Sequence, residues 1–365
     1  MVIFFDNSKP KKIKYFLKKL IFYIFLILSE IYLIFIFRHY YIIYFYKPRA
    51  VIMNVDGAST IQGGGLGNQL FIFSFGYIYA KEFGIKNISI NNSNPCSNSR
   101  EDFTSIDKRC YALDKFGITI PVTYNFSGLS ISEKESAFNL SSNLHDFHKD
   151  YYDKIIIINN SYLPDYSNNF KKYKKELQKM FVYNQELSPI SKKMLQEIKN
   201  INNSVSIHIR RGDYIDFGWN YDLSYHIKAA YLLANKILNP NFFIFSDDPE
   251  FVREFFKNKN NFNLEKIVFN KVNNKQFNNK KLNKVSIEQI YEKLNNAVYV
   301  SEKVKHSLEE FHLMSKCKHN IIPNSTFSWW AAFLNENPRK KIIAPSKDLW
   351  DHFFIPSDPN WISIS

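Results

Sequence analysis

Residues 205–214, read VSIHIRRGDY, narrow the fold of this chain more than any other stretch. Val205, Ile207 and Ile209 alternate with Ser206 and His208, a period of two that predicts a strand with one apolar and one polar face, Arg210 continuing the polar side. Gly212 and Asp213 supply turn chemistry directly afterwards. An open α/β sheet carries its chemistry at the carboxyl ends of its strands, so Arg210 and Arg211 are predicted at the edge of a site. Two guanidiniums beside the His208 imidazole call for an anion. The guanidinium fork matches phosphate oxygens, and a preorganised positive site stabilises a departing phosphate. The plainer alternative is an Arg211–Asp213 pair on the surface, worth little.

A strand–helix rhythm continues on both sides of this stretch. Residues 222–238 read as a helix and residues 241–246 as a strand delivering Asp247 and Asp248 to its carboxyl end. Those aspartates fit a cap for the helix at 249–256, a metal ligand pair, or a hold on a hydroxyl. Residues 266–269 suggest another strand, and 307–317 a helix with Glu309 and Glu310 in its first turn. A short strand at 319–322 then runs into Pro323-Asn-Ser-Thr and a tryptophan-bearing helix starting near Ser328. Asn324, Ser325 and Thr326 combine side-chain hydrogen bonds with helix-start amides, which suits a diphosphate or equally an ordinary cap over a core helix. Residues 341–344 read as the last strand before an aromatic-rich tail.

Upstream, Gly63, Gly64, Gly65 and Gly67 precede an apolar run of helical length at 71–80. The loop is neither GxGxxG nor GxxxxGK[ST]. It serves either as a tight turn or as backbone, with Gly65, Gly67 and Asn68, held close to a sugar or an anion. Strands are predicted at 85–90 and 154–158, a helix at 170–182, and a junction between the two halves at 185–203.

The formal charge of +14 favours acidic partners. Its lysines and arginines are spread rather than gathered on a motif, which argues against nucleic acid. Cys96, Cys110 and Cys317 have no metal spacing and fit a reducing compartment; in an oxidising space Cys96 and Cys110 could bridge. His145 and His148 lack further ligands and read as surface residues. Six lysines in the basic segment 1–19 precede a hydrophobic segment at 20–46, of which 20–37 carries one charge, Glu30. Three readings fit it: a membrane anchor or monotopic segment, a processed leader, or a translation start that belongs nearer Met53.

Four motifs, GGGLGNQLF at 63–71, HIRRGDY at 208–214, FFIFSDD at 242–248 and LMSKCKHNIIPNSTFSWWAAFL at 313–334, together resemble the bacterial α-1,2-fucosyltransferase family, in that family's order and over roughly residues 60–361. The resemblance implies a GT-B-like α/β fold: two facing Rossmann-type domains, at 55–200 and 204–365, with a cleft between them. It implies GDP-fucose as donor, no metal or other cofactor, and inverting transfer to the 2-hydroxyl of a galactoside in a surface glycan. The alternatives are another GDP-linked deoxysugar as donor, or a noncatalytic nucleotide-sugar or glycan binder on the same scaffold.

By that resemblance Arg210 grips the β-phosphate, with His208 beside it and Arg211 adding charge. Ser325 and Thr326, with Asn324, complete the diphosphate site, Glu310 meets the guanine, and Asn68 faces the sugar or the acceptor from the glycine loop of Gly65 and Gly67. Asp213 is the first candidate for the base and His208 the second. The placement implied is cytoplasmic, or on the cytoplasmic face of the inner membrane. This sequence departs from the family in its added amino-terminal residues, in NNSYLPDYSNNF at 159–170 where a GYFQ-like sequence is expected, and in Pro323, where alanine is usual.

Overall fold

The computed structural model describes residues 20–34, 50–55, 65–91, 111–123, 129–130, 155–158, 168–219, 222–258, 272–273, 285–346, 358 and 360–364. Two sheets organise them. The first contains β1 (Ala50–Asn54), β2 (Ile88–Asn91), β3 (Val122–Thr123), β4 (Leu129–Ser130) and β5 (Ile155–Ile158), all parallel, in the order β3-β2-β1-β5-β4. Its central strand, β1, lies before residue 55, where the first domain was expected to open. A chain beginning at Met53 would lack Ala50, Val51 and Ile52, which pair with β2 and β5.

The second sheet contains β6 (Ser204–Ile209), β7 (Asn241–Ser246), β8 (Val272–Asn273), β9 (Val298–Tyr299), β10 (His319–Ile321), β11 (Ile342–Pro345) and β12 (Ile362–Ile364). Its order is β8-β12-β11-β10-β6-β7-β9, with only β8 antiparallel to its neighbour. Counting the six parallel strands in chain order, this is the doubly wound 3-2-1-4-5-6 arrangement. The order reverses between β6 and β10, so the crevice of the sheet opens where Arg210 and Asn324 leave their strands. Two parallel sheets flanked by helices are a GT-B-like pair of Rossmann-type units, as the motifs imply.

β6 is buried along its whole length, on both faces. The period-two pattern therefore marks a strand between two helical layers, with Ser206 receiving a 2.7 Å hydrogen bond from Asn320 Nδ2 of the neighbouring strand. β12 occupies part of what the sequence suggested was only a closing tail; three residues give too short a pattern to read. The strand expected at 266–269 lies outside the described residues, as do Cys96, Cys110, His145 and His148, while Cys317 is buried with a free thiol.

The glycine loop feeds the helix Leu66–Glu82, which is apolar on all sides and buried over most of its length. It packs on β1 and, across the junction of the two units, on the helix Thr326–Leu334. Phe71 stands 4.9 Å from Trp329 and 4.8 Å from Trp330 between ring centroids, and Phe170, Phe181 and Phe333 close around the same indoles. One continuous aromatic core thus joins the two units. Trp330→Ala is expected to cost about 3–5 kcal/mol of unfolding free energy, measured by urea denaturation; a loss under about 1 kcal/mol would contradict this account of the junction.

The connection between the units is pinned as well. Glu309, 5% exposed, accepts hydrogen bonds from Ser188 N (2.7 Å), Ser188 Oγ (2.7 Å) and Ser191 Oγ (2.6 Å), at the start of the helix Pro189–Asn200. Burial pushes the Glu309 pKa up, yet these bonds outweigh it and the net shift is downward. Residues 20–34 form a helix whose side chains are mostly exposed. No helix among the described residues is long and apolar enough to cross a membrane.

Candidate active site

The carboxyl ends of β6, β7 and β10 come together with the starts of two helices. Arg210 lies between two carboxylates, with Nη2 2.5 Å from Asp213 Oδ1 and Nη1 2.7 Å from Asp247 Oδ2. The second contact is an ion pair without hydrogen-bond geometry. Arg211 donates its backbone N–H to Asp247 Oδ1 (2.8 Å) and its Nε–H to Asp248 Oδ2 (3.0 Å), and its guanidinium lies 3.4 Å from the Phe251 ring centroid. The Arg211–Asp213 pair considered from sequence is replaced by Arg210–Asp213 and Arg211–Asp248. Adjacent residues at a strand end point apart, so each arginine meets a different acid.

The two arginines are therefore not waiting for an anion to neutralise them. Two guanidiniums against three carboxylates leave a formal −1, all groups ionised. What the carboxylates supply is orientation. A guanidinium has five N–H donors, and two acids fix its plane while occupying only part of that set. Asp247 carries most of this, and the sequence reading missed it as a site residue. Its signal was the doubled aspartate at the end of a strand adjacent to β6. Asp248 does cap the helix Pro249–Lys257, accepting from Phe251 N at 3.3 Å. Burial raises the Asp247 pKa, with the Arg210 charge pulling the other way.

His208 is 5% exposed, within β6, its ring 5.7 Å from that of Phe327. Burial, with Arg210 and His226 adding repulsion, lowers its pKa to about 3, so the imidazole is neutral. The backbone carbonyl of His208 meets His226 Nε2 at 3.1 Å. Its imidazole packs against Phe327, next to the start of the helix Thr326–Leu334, with Nδ1 buried and without a hydrogen-bond partner among the described residues.

Just past β10, Tyr214 Oη donates to the Asn324 carbonyl (3.1 Å) and Tyr225 Oη to the Ile322 carbonyl (2.7 Å), fixing the turn that leads into the helix Thr326–Leu334. That helix begins at Thr326, two residues before the expected start. Asn324 and Ser325 are 2% and 4% exposed, while Thr326 is half-buried. Ser325 occupies the cap position without a side-chain cap bond, and Gly65 does the same for Leu66–Glu82. Those two helix starts touch: a Cβ on Gly67 would fall 2.4 Å from the Thr326 carbonyl carbon and 2.6 Å from Phe327 N. Two helix amino-termini, each equivalent to roughly half a positive charge, thus converge from the two units. Asn68, half-buried, sits one residue further along the same turn.

Glu310 turns toward the end of β7, where it interacts with Ser301, Asp247 and Lys305. Burial pushes its pKa up to about 8, Asp247 adding to the rise while Ser301 and Lys305 oppose it. Glu309 and Glu310, indistinguishable as two acids in one helical turn, are thus separated into a structural tie and a carboxyl facing Ser301, Asp247 and Lys305. Among the described residues no group of three or more His, Cys, Asp or Glu side chains could hold a metal ion.

Two facing Rossmann-type units, with an oriented guanidinium and converging helix starts at their junction, define a glycosyltransferase of the GT-B-like class. The chain belongs to glycosyl transferase family 11, which matches residues 114–276 and 284–364. It is similar to the O-antigen biosynthesis glycosyltransferase WbnK of Escherichia coli, with 24% identity over 322 residues, covering 78% of this chain and 92% of that protein. It is also similar to an alpha-1,2-colitosyltransferase of Escherichia coli, with 27% identity over 210 residues, 53% of this chain and 58% of that one. Among solved structures, fucosyltransferase NodZ from Bradyrhizobium aligns with a TM-score of 0.41 at 14% identity, covering 78% of this chain and 93% of that chain.

Proposed function

We propose that the enzyme transfers L-fucose from GDP-β-L-fucose to the 2-hydroxyl of a galactoside, with inversion. The observation that carries this reading is the convergence of the helix starts at Gly67 and Thr326 beside the β6–β10 crevice that Arg210 borders. In a single displacement the acceptor oxygen attacks the anomeric carbon from the side opposite the diphosphate. The carbon–oxygen bond to the diphosphate breaks, and its electron pair goes to the leaving oxygen. Arg210 and the amides of the Thr326 turn stabilise that growing charge. Burial of His208 favours Asp213 as the group that takes the acceptor proton.

Glu310 is assigned to the guanine, whose N1–H and exocyclic amine are donors that a carboxylate accepts. Before nucleotide binds, Glu310 is largely protonated at neutral pH, because its pKa is raised to about 8. Binding in the ionised form then requires release of that proton. GDP affinity should accordingly rise with pH, by up to about tenfold per unit below pH 8, and level off above it. Calorimetry at pH 6 to 9 in buffers of different ionisation enthalpy measures both affinity and proton release. A Glu310→Gln protein should lose the slope, and an unchanged slope would remove Glu310 from the guanine site.

The relative named as a colitosyltransferase favours a second reading, in which the donor is another GDP-linked deoxysugar. A donor and acceptor screen with product linkage analysis decides between them. Fucosylation of a β-galactoside at the 2-hydroxyl is the expected result. Turnover of a different GDP-deoxysugar alone would establish the second reading, and GDP binding without any turnover would leave a nucleotide-sugar binder.

A further inference from the structure

We infer that the helix at 20–34 is a lipid-docking element that seats the enzyme on an anionic bilayer. Nineteen large apolar side chains are exposed among the described residues, and thirteen of them lie on this one helix, from Leu20 (44% exposed) to Ile34 (67% exposed). The exposed residues follow one another without a break from Leu20 to Leu28, so they cover every side of the helix. No one-sided groove on the rest of the chain would bury them all. A helix apolar all round is stable only when surrounded by apolar material, which for a helix standing clear of its own core means hydrocarbon.

Charge selects the kind of surface. Residues 9–19 hold six lysines and no acid, and Arg38, Lys47 and Arg49 follow the helix on its other side. Basic residues immediately flanking an immersed segment are drawn to anionic headgroups. The described helical length, 15 residues, is about 22 Å, which fits within the roughly 30 Å hydrocarbon core. None of the helix's residues belongs to the candidate site described above, so the inference does not depend on the identity of the donor or acceptor.

Flotation of the full chain with phosphatidylcholine vesicles, with and without 30% phosphatidylglycerol, tests it. The full chain should float with both and partition at least about tenfold more strongly to the anionic vesicles, a preference weakened in high salt. Ile24→Glu with Leu28→Glu should abolish flotation while leaving the thermal unfolding midpoint unchanged. Lys18→Gln with Lys19→Gln should reduce the anionic preference alone. A full chain that stays with the lipid-free fraction would overturn the proposal, as would a glutamate variant that floats like the parent. So would a non-floating dimer that the glutamate variant converts to a monomer, because the helix would then pair with a second copy.

Discussion

Purified Arg210→Ala should turn over donor at least about 100-fold more slowly than the parent enzyme, the scale seen when a central contact to developing charge is deleted. The substitution also leaves Asp213 and Asp247 without their counter-charge, so some stability will be lost. Arg210→Lys separates the two effects. An ammonium keeps a positive charge near the carboxylates but has no planar fork with which to hold both acids and a phosphate. The lysine protein should therefore recover most of the unfolding midpoint and only a minor part of kcat. Turnover near the parent value in the folded alanine protein would remove Arg210 from the chemistry.

Gly67→Ala should be nearly as damaging, although the change adds a single methyl group. Its Cβ would meet the carbonyl carbon and Oγ1 of Thr326 at 2.4 and 2.5 Å, so backbone has to yield rather than the end of a flexible side chain. Overpacking of this kind costs about 1–3 kcal/mol. Moving the Thr326 turn by about an ångström would by itself reduce kcat on the order of 100-fold. Steady-state kinetics with an unfolding curve on the same protein checks both. Gly65→Ala is the matching control, since nothing among the described residues lies within 4 Å of a Cβ there, and it should lose far less activity than Gly67→Ala. Equal effects at the two glycines would show that the close approach of the helix starts is not what the site depends on.

The parts of this fold that show in the sequence are those whose local signal agrees with their environment. β6, β7 and β10 each end an apolar run with polar residues, and their helices carry clear start signals, so the doubly wound second sheet could be anticipated. β1 was obscured because Ala50–Asn54 follows a longer hydrophobic segment, and composition cannot divide the two. β9 and β12 are two and three residues long, stabilised by neighbours rather than by their own pattern. The same limit applies at the site. Arg210, Ser325 and Thr326 could be picked out by residue type and spacing, whereas Asp247 gained its role only once β7 paired with β6 and placed its carboxylate 2.7 Å from Arg210.

Residue order alone determined that this chain builds strands ending in arginine, aspartate and hydroxyl groups, because period-two burial and helix-start chemistry act over a few neighbouring residues. Only the tertiary structure decided which acid faces which arginine, that Glu310 rather than Glu309 turns toward Asp247, and that Gly67 touches Thr326. Apart from the local Arg210–Asp213 pair, the contacts that join Arg211 to Asp247 and Gly67 to Thr326 link groups 36 to more than 250 positions apart in the chain. Ionisation at the site depends on burial, a property no single residue carries until the whole core has closed around it.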